Sequence, residues 1–180
     1  FEGDDTTVLF PRQGLAAFKF VTMKNAKSAD IAARVMMAKK NFGSEMEFID
    51  DTGGWSKGVQ EFLAQAGIAT HPVNFSGKAI DPRYYNIRAE MYWTMSEWVK
   101  NGGALPYDEQ LLRELCAPTY TLRNGKILLE DKKQIKARLG FSPDIADALA
   151  LTFSLPDMPA ALNLGIPGLD GPNKMLTEWD

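Results

Sequence analysis

Two pairs of acids stand where apolar structure would otherwise continue. Asp50 and Asp51 directly follow Phe48-Ile49, and Asp144 and Asp147 interrupt Ser142-Pro-Asp-Ile-Ala-Asp-Ala-Leu149. A few carboxylates gathered on one edge are the ligands Mg²⁺ takes alongside waters and substrate phosphates. Two such ions about 3.5 to 4 Å apart can activate a water and stabilise the leaving oxygen of a phosphodiester. Each acid also has a purely structural reading. Asp50 ends a strand-like run, where ligands collect in open α/β sheets, yet it could equally begin a polar loop, and Asp51-Thr52-Gly53 suits an Asx-type turn. Capping accounts for Asp144. Ser142 can cap a helix, Pro143 fits its first position, and an acid in the first turn gains about 0.3 to 1 kcal/mol from the dipole. Asp147 is left over. Three residues further on the same face, it costs roughly 0.2 to 0.5 kcal/mol against Asp144 unless a cation or donor sits between them.

Other chemistries find little support. His71 is the sole histidine and falls in a strand-like run, where a core or edge role is expected. No Cys/His set suits zinc, and neither a phosphate-binding Gly-x-x-x-x-Gly-Lys-Ser/Thr loop nor a dinucleotide fingerprint occurs. The single Cys116 cannot form an internal disulfide; an apolar helical setting suggests a buried, inert thiol and a reducing, cytoplasmic compartment. No apolar run reaches the 18 or so residues of a membrane span, and residues 1–5 lack the features of a signal peptide. A net charge of -3 argues against a chain coated in basic charge, while leaving room for a local groove. The basic residues that could line one are Arg123, Lys126, Lys132 and Lys133, and a second patch of Lys78, Arg83 and Arg88. Lys136 and Arg138 read as a solvated helix face. Trp55, Trp93 and Trp98 could stack on bases, although aromatics at helical spacing more often belong to a core.

The elements that must carry these residues follow from periodicity and punctuation. With 180 residues and 45% hydrophobic content the chain suits one domain with a substantial core. Residues 6–12 and 15–23 form a hairpin about Gln13-Gly14, and a helix follows over 28–42, with Ser28 as cap and Gly43 as stop. A strand over 45–49, a helix over 56–66 and a strand over 68–75 make a β-α-β unit with parallel strands. A long helix spans 82–101, its Tyr85, Met91, Tyr92, Met95 and Val99 able to face the core. A shorter one spans 108–116. Asn124-Gly125 marks a hairpin between 119–122 and 126–129. Helices over 130–139 and 143–154 complete the regular part, and from residue 156 the chain is a Pro/Gly-rich extension.

In this order the motifs resemble the carboxy-terminal nuclease domain of bacteriophage terminase large subunits. The resemblance rests on Gly3-Asp4-Asp5, Asp50-Asp-Thr-Gly-Gly54 with Gly58-Val59, Asn74-Phe-Ser-Gly-Lys-Ala79, Tyr84-Tyr-Asn-Ile-Arg-Ala-Glu-Met91, Leu129-Glu-Asp-Lys-Lys133 and Ser142-Pro-Asp-Ile-Ala-Asp-Ala-Leu-Ala-Leu151. It covers residues 1–155 and not 156–180. It implies an α/β, RNase H-like fold, a mixed central sheet flanked by helices with an added hairpin. It also implies a Mg²⁺- or Mn²⁺-dependent endonuclease, using two ions to cut concatemeric viral DNA during packaging in the host cytoplasm. Asp50 and Asp147 match the family's second and last metal-binding acids, and Asp144 a neighbouring residue that assists in some members. The family's first catalytic Asp lies on a strand just before the Gly-Asp-Asp turn. That acid is therefore expected in a preceding part of a longer protein; otherwise the metal site is incomplete. The partners implied are double-stranded DNA, an upstream ATPase domain of the same polypeptide, the portal and the small terminase subunit, with no membrane. Two alternatives share the residues: a non-catalytic docking module, and another RNase H-like nuclease such as a resolvase.

Overall fold

The segments before and after Gly14 pair as expected, but in two registers. In the computed structural model, which describes residues 6–157, β1 (Thr6–Leu9) runs antiparallel to β4 (Val21–Lys24), and β2 (Arg12–Gln13) to β3 (Ala16–Ala17). Pro11 lies between β1 and β2, where its missing N–H would break a continuous ladder. The turn closes through Gly14 at φ 52°.

α1 (Ser28–Phe42) stops at Gly43 in the left-handed conformation, whose N–H bonds the Lys39 carbonyl at 2.8 Å. Ser28 is the first helical residue rather than the cap, which falls at Lys27. Its hydroxyl lies under Gly58 of α2 (Lys57–Gln65), where a Cβ would meet the Ser28 oxygen at 2.8 Å. That close approach buries Ala32, Val59 and Leu63 between the two helices, against Ile49 and Ile68. β5 (Glu47–Asp50) and β6 (Thr70–Val73) pair in parallel across the α2 crossover, in register from Glu47 with Thr70 to Asp50 with Val73.

α3 (Ile87–Lys100) begins five residues later than its apolar spacing suggests. The Asn86 side chain accepts the Ala89 N–H at 3.0 Å and caps it. Residues 81–85 fold as a loop instead, with the Asp81 carboxylate accepting the Arg83 N–H and the Tyr85 N–H bonding the Ile127 carbonyl. The buried face is consequently rotated. Met91, Tyr92 and Met95 are buried as expected and joined by Trp98, whereas Tyr85 and Val99 are exposed. α4 (Glu109–Leu115) is capped by the Asp108 carboxylate on the Leu111 N–H. Cys116 at its end is exposed, correcting the expectation of a buried thiol, because the helix directs Leu111 and Glu114 inward instead.

The Asn124-Gly125 hairpin forms as expected, β7 (Tyr120–Arg123) with β8 (Lys126–Leu129), both turn residues at positive φ. α5 (Lys132–Leu139) starts at an Asp131 cap and ends at Gly140. α6 (Asp144–Leu151) starts after Pro143.

Among the described residues the strands are hydrogen-bonded as four separate pairs rather than one mixed sheet. Burial joins them. α6 packs against β1, β5, α3 and α4, and Ala146, Leu149, Ala150 and Phe153 meet Val73, Phe75, Ile87, Met91, Met95 and Trp98 in the main core. An apolar α6 face is thus the floor on which the β1–β4 and β5–β6 pairs rest, and its polar first turn is left at one end of them. The Gly3-Asp4-Asp5 motif, and the Pro/Gly-rich extension beyond Asp157, lie outside the described residues.

Candidate metal centre

Asp147 stands in the first turn of α6 and is 4% exposed. An isolated carboxylate there would carry a heavy desolvation penalty, and three side chains answer it. Arg88 approaches Oδ1 with Nε at 3.3 Å and Nη2 at 3.2 Å, and the Tyr92 hydroxyl donates to the same oxygen at 2.6 Å. Both donors come from one face of α3, four residues apart, and the guanidinium lies 5.0 Å from the Tyr92 ring centroid. The third Arg88 nitrogen donates to the Glu130 carbonyl at 2.8 Å, tying the end of β8 to the site. The Lys132 ammonium pairs with Oδ2 at 2.8 Å, so each carboxylate oxygen of Asp147 faces a protein cation.

Lys132 is shared. Its Nζ is also 3.2 Å from Asp144 Oδ1, which accepts the Ser142 hydroxyl at 2.9 Å. The like-charge conflict between Asp144 and Asp147 is therefore relieved by a protein cation. Burial works against the Lys132 charge, but the two carboxylates outweigh it and hold the ammonium above its ordinary value. Arg88 is raised for the same pair of opposed reasons, with Asp147 as the charge that wins. The Tyr92 hydroxyl is pushed well up by burial and by the neighbouring Asp147 charge, so it serves as a donor.

Neither Ser142 nor Asp144 caps α6. That role falls to Glu114 of α4, 3% exposed, whose Oε2 accepts the N–H groups of Ile145 at 2.6 Å and Ala146 at 3.0 Å, while Oε1 accepts from Gln110. A carboxylate on the orphan donors of a helix start is favoured by hydrogen bonding and by the dipole together. Burial pushes the Glu114 carboxyl up, against those hydrogen bonds.

Asp50 is exposed at the carboxyl end of β5, and its Oδ1 accepts the Thr52 N–H at 2.9 Å. The Asx turn thus belongs to Asp50, correcting its expected place at Asp51, which accepts the Ser56 hydroxyl at 2.5 Å. β5 packs against α6, so strand and helix bring the two motifs to neighbouring elements. Even so, among the described residues no three of Asp, Glu, His and Cys form a group that could hold a metal. Asp144 and Asp147 converge on one cation position between them, and the Lys132 ammonium occupies it. Asp50 stands outside that group.

The remaining expected residues scatter. Lys133 lies with Lys132 on a cleft beside Asp144. Lys78 lines a separate hollow of about 250 Å³ with His71 and Asn74; His71 sets its ring edge against Phe48, a structural role. Arg83 is bound by Asp81 at 2.7 Å. Arg123 covers the Tyr85 ring on the exposed hairpin, and Lys126 opens its second strand. Arg88 is no surface phosphate contact: it is buried as the partner of Asp147. Trp98 is core and Trp93 packs against Tyr84, while Trp55 is exposed. The sequence reasoning missed Arg88, Tyr92 and Glu114 as parts of the centre. The available signal was polarity on an apolar face: Arg88 stands between Ile87 and Ala89, and Glu114 three residues beyond Leu111.

No protein-family model and no curated protein matches this chain. Solved structures do. A point variant of the large terminase subunit fragment from bacteriophage Sf6, with calcium, superposes with a TM-score of 0.72 at 19% identity, covering 86% of this chain and 85% of that one. The Sf6 nuclease-domain variant with manganese gives 0.69 at 18% identity, over 84% and 88%. The large terminase nuclease from the thermophilic phage G20c with magnesium gives 0.63 at 20%, over 86% and 76%. The chain has the α/β, RNase H-like fold of phage large-terminase nuclease domains.

Proposed function

We propose that this chain is the nuclease domain of a phage packaging terminase, a Mg²⁺- or Mn²⁺-dependent endodeoxyribonuclease that cuts concatemeric double-stranded DNA in the host cytoplasm. The observation that carries the reading is the convergence of Asp144 and Asp147 on one cation position, in a chain of that fold. Asp147 and Asp144 would hold the ion, with Asp50 contributing from the end of β5; a second ion would need the family's first acid, which lies on a strand before the Gly-Asp-Asp turn. Such an ion supplies charge neutralisation at the scissile phosphate and an activated water. The chain's own part is positional. Arg88 and Tyr92 fix one Asp147 oxygen, so that the other, now paired with Lys132, is the one that would turn to the ion, and Glu114 holds the helix start from which both acids project. An upstream ATPase domain of the same polypeptide, the portal and the small terminase subunit would complete the motor.

Plasmid cleavage with Mg²⁺ or Mn²⁺ tests this reading, using the chain together with its upstream strand. Loss of cleavage in Asp147→Asn and Asp50→Ala is expected. Full activity in both would dismiss the assignment. Lys132 lends weight to a second reading, a docking module that keeps the fold without catalysis, since its ammonium satisfies both acids with no ion. That reading requires that Mn²⁺ give no heat on titration, whatever the cleavage result.

A further inference from the structure

Beside the acids, between α4, α5, the start of α6 and the paired ends of β1 and β4, lies a cleft of about 510 Å³. Lys24 enters from the end of β4, and Lys132, Lys133 and Lys136 from α5. Its acids are Glu114 and Asp144. Both are already engaged: Glu114 by Gln110 and the Ile145 and Ala146 N–H groups, Asp144 by Ser142 and Lys132. Lys24, Lys133 and Lys136 have no acidic partner among the described residues. Lys133 and Lys136 are three residues apart on α5 and so share a face; Lys24 reaches the same space from a different element. Three cations with no acidic partner among the described residues line one cleft in a chain whose net charge is -3. A merely solvated helix face would not recruit the strand residue.

We propose that this cleft binds the phosphate backbone of double-stranded DNA through Lys24, Lys133 and Lys136. The inference deepens the nuclease reading and rests on it for the identity of the polyanion. Asp144 lines the cleft and also belongs to the cation position, so a backbone lying along the lysines runs past the acids. Lys132 is held by those acids and is excluded from the binding set. Ammonium groups on phosphates act as point charges, releasing counterions without reading sequence.

The test is duplex binding by fluorescence anisotropy in EDTA, with NaCl varied between about 50 and 200 mM, where counterion release dominates. The parent is compared with a Lys24→Ala, Lys133→Ala, Lys136→Ala variant and a charge-matched Lys19→Ala, Lys27→Ala, Lys40→Ala control. The cleft variant should lose affinity and flatten the slope of log K against log salt by about 1 per lysine. The control should keep the parental slope. Equal slopes in the two variants, a parental slope in the cleft variant, or no salt-dependent binding by the parent would each overturn the inference. Cleavage is scored separately: a flattened slope in a chain that never cuts DNA upholds the cleft and removes the nuclease reading, while active cleavage with an unchanged slope does the reverse.

Discussion

Lys132 has two roles that pull in opposite directions. At 2.8 Å from Asp147 and 3.2 Å from Asp144 it neutralises both carboxylates, and a divalent ion at the proposed position would have to displace it. Its elevated affinity for the proton fixes the sign of the effect. A lysine raised on folding contributes its stability fully below the ordinary lysine value and loses it only as pH rises through the higher folded value. Around neutrality the ammonium stays charged, so competition with metal does not titrate away. Lys132→Ala is expected to tighten Mn²⁺ binding at least about tenfold, equivalent to about 1.4 kcal/mol, as read by isothermal titration calorimetry. Unchanged or weaker binding would mean that the ion does not use this position. Asp147 resists such simple treatment, because its removal also strands the Arg88 guanidinium in the interior, and breaking a buried pair from one side costs about 3 to 5 kcal/mol. Asp147→Asn, which keeps the Tyr92 and Arg88 contacts to an oxygen, is the cleaner probe of chemistry.

α6 shows how much of the centre is legible in sequence. Its existence, its two acids and their shared face follow from spacing alone, as do the hairpin at Asn124-Gly125 and the parallel crossover from β5 to β6. What caps it does not, because Glu114 arrives from 31 residues away through tertiary packing, and local pattern then favours the nearer Ser142. The late start of α3 has the same origin: Tyr84 and Tyr85 are drawn to Ile127 of the hairpin, overriding a helical apolar pattern. Glu114→Ala leaves two buried N–H groups unsatisfied and should destabilise the chain by about 3 kcal/mol in urea. Glu114→Gln keeps an accepting oxygen and should recover most of that; equal losses in the two would contradict the capping role. A second element junction has a pH signature. Arg138 binds Glu130 at 2.6 Å, joining α5 to the end of β8, and this pairing lowers the Glu130 carboxyl to about 2. A carboxyl depressed on folding stabilises fully above its unfolded value of 4.5, and the contribution fades as pH falls towards 2. Arg138→Ala should therefore raise the midpoint of acid unfolding followed by circular dichroism, with little change in the shape of the curve above pH 4.5. Superimposable acid transitions for parent and variant would refute that junction.

Across the whole molecule, the β2–β3 turn and the end of α6 are closed on each other by one side chain. Arg12 donates from Nε to the Thr152 hydroxyl at 2.8 Å and from Nη2 to the Thr152 carbonyl at 2.9 Å, and its guanidinium lies 4.1 Å from the Phe153 ring centroid. Another nitrogen reaches the Gly14 carbonyl, itself the acceptor of the Trp98 indole N–H. The Arg12 side chain is 6% exposed, whereas Asp157, its ionic partner, is 54% exposed. Those two exposures decide which contact matters. An ion pair with a solvated acid contributes at most about 1 kcal/mol and is screened by salt. Buried hydrogen bonds and a desolvated cation over an aromatic face are not screened in this way. Arg12→Ala should therefore cost about 2 to 4 kcal/mol in urea denaturation, a loss that persists in high salt, while Asp157→Ala should cost less than about 1 kcal/mol. The carboxyl end of α6 is anchored at Arg12 and its amino end at Glu114, so the double variant Arg12→Ala, Glu114→Ala probes whether the helix behaves as one rigid strut. Additive losses would mean that the two ends are held independently; a smaller combined loss would mean that freeing one end already releases the other, and with it the acids on the first turn.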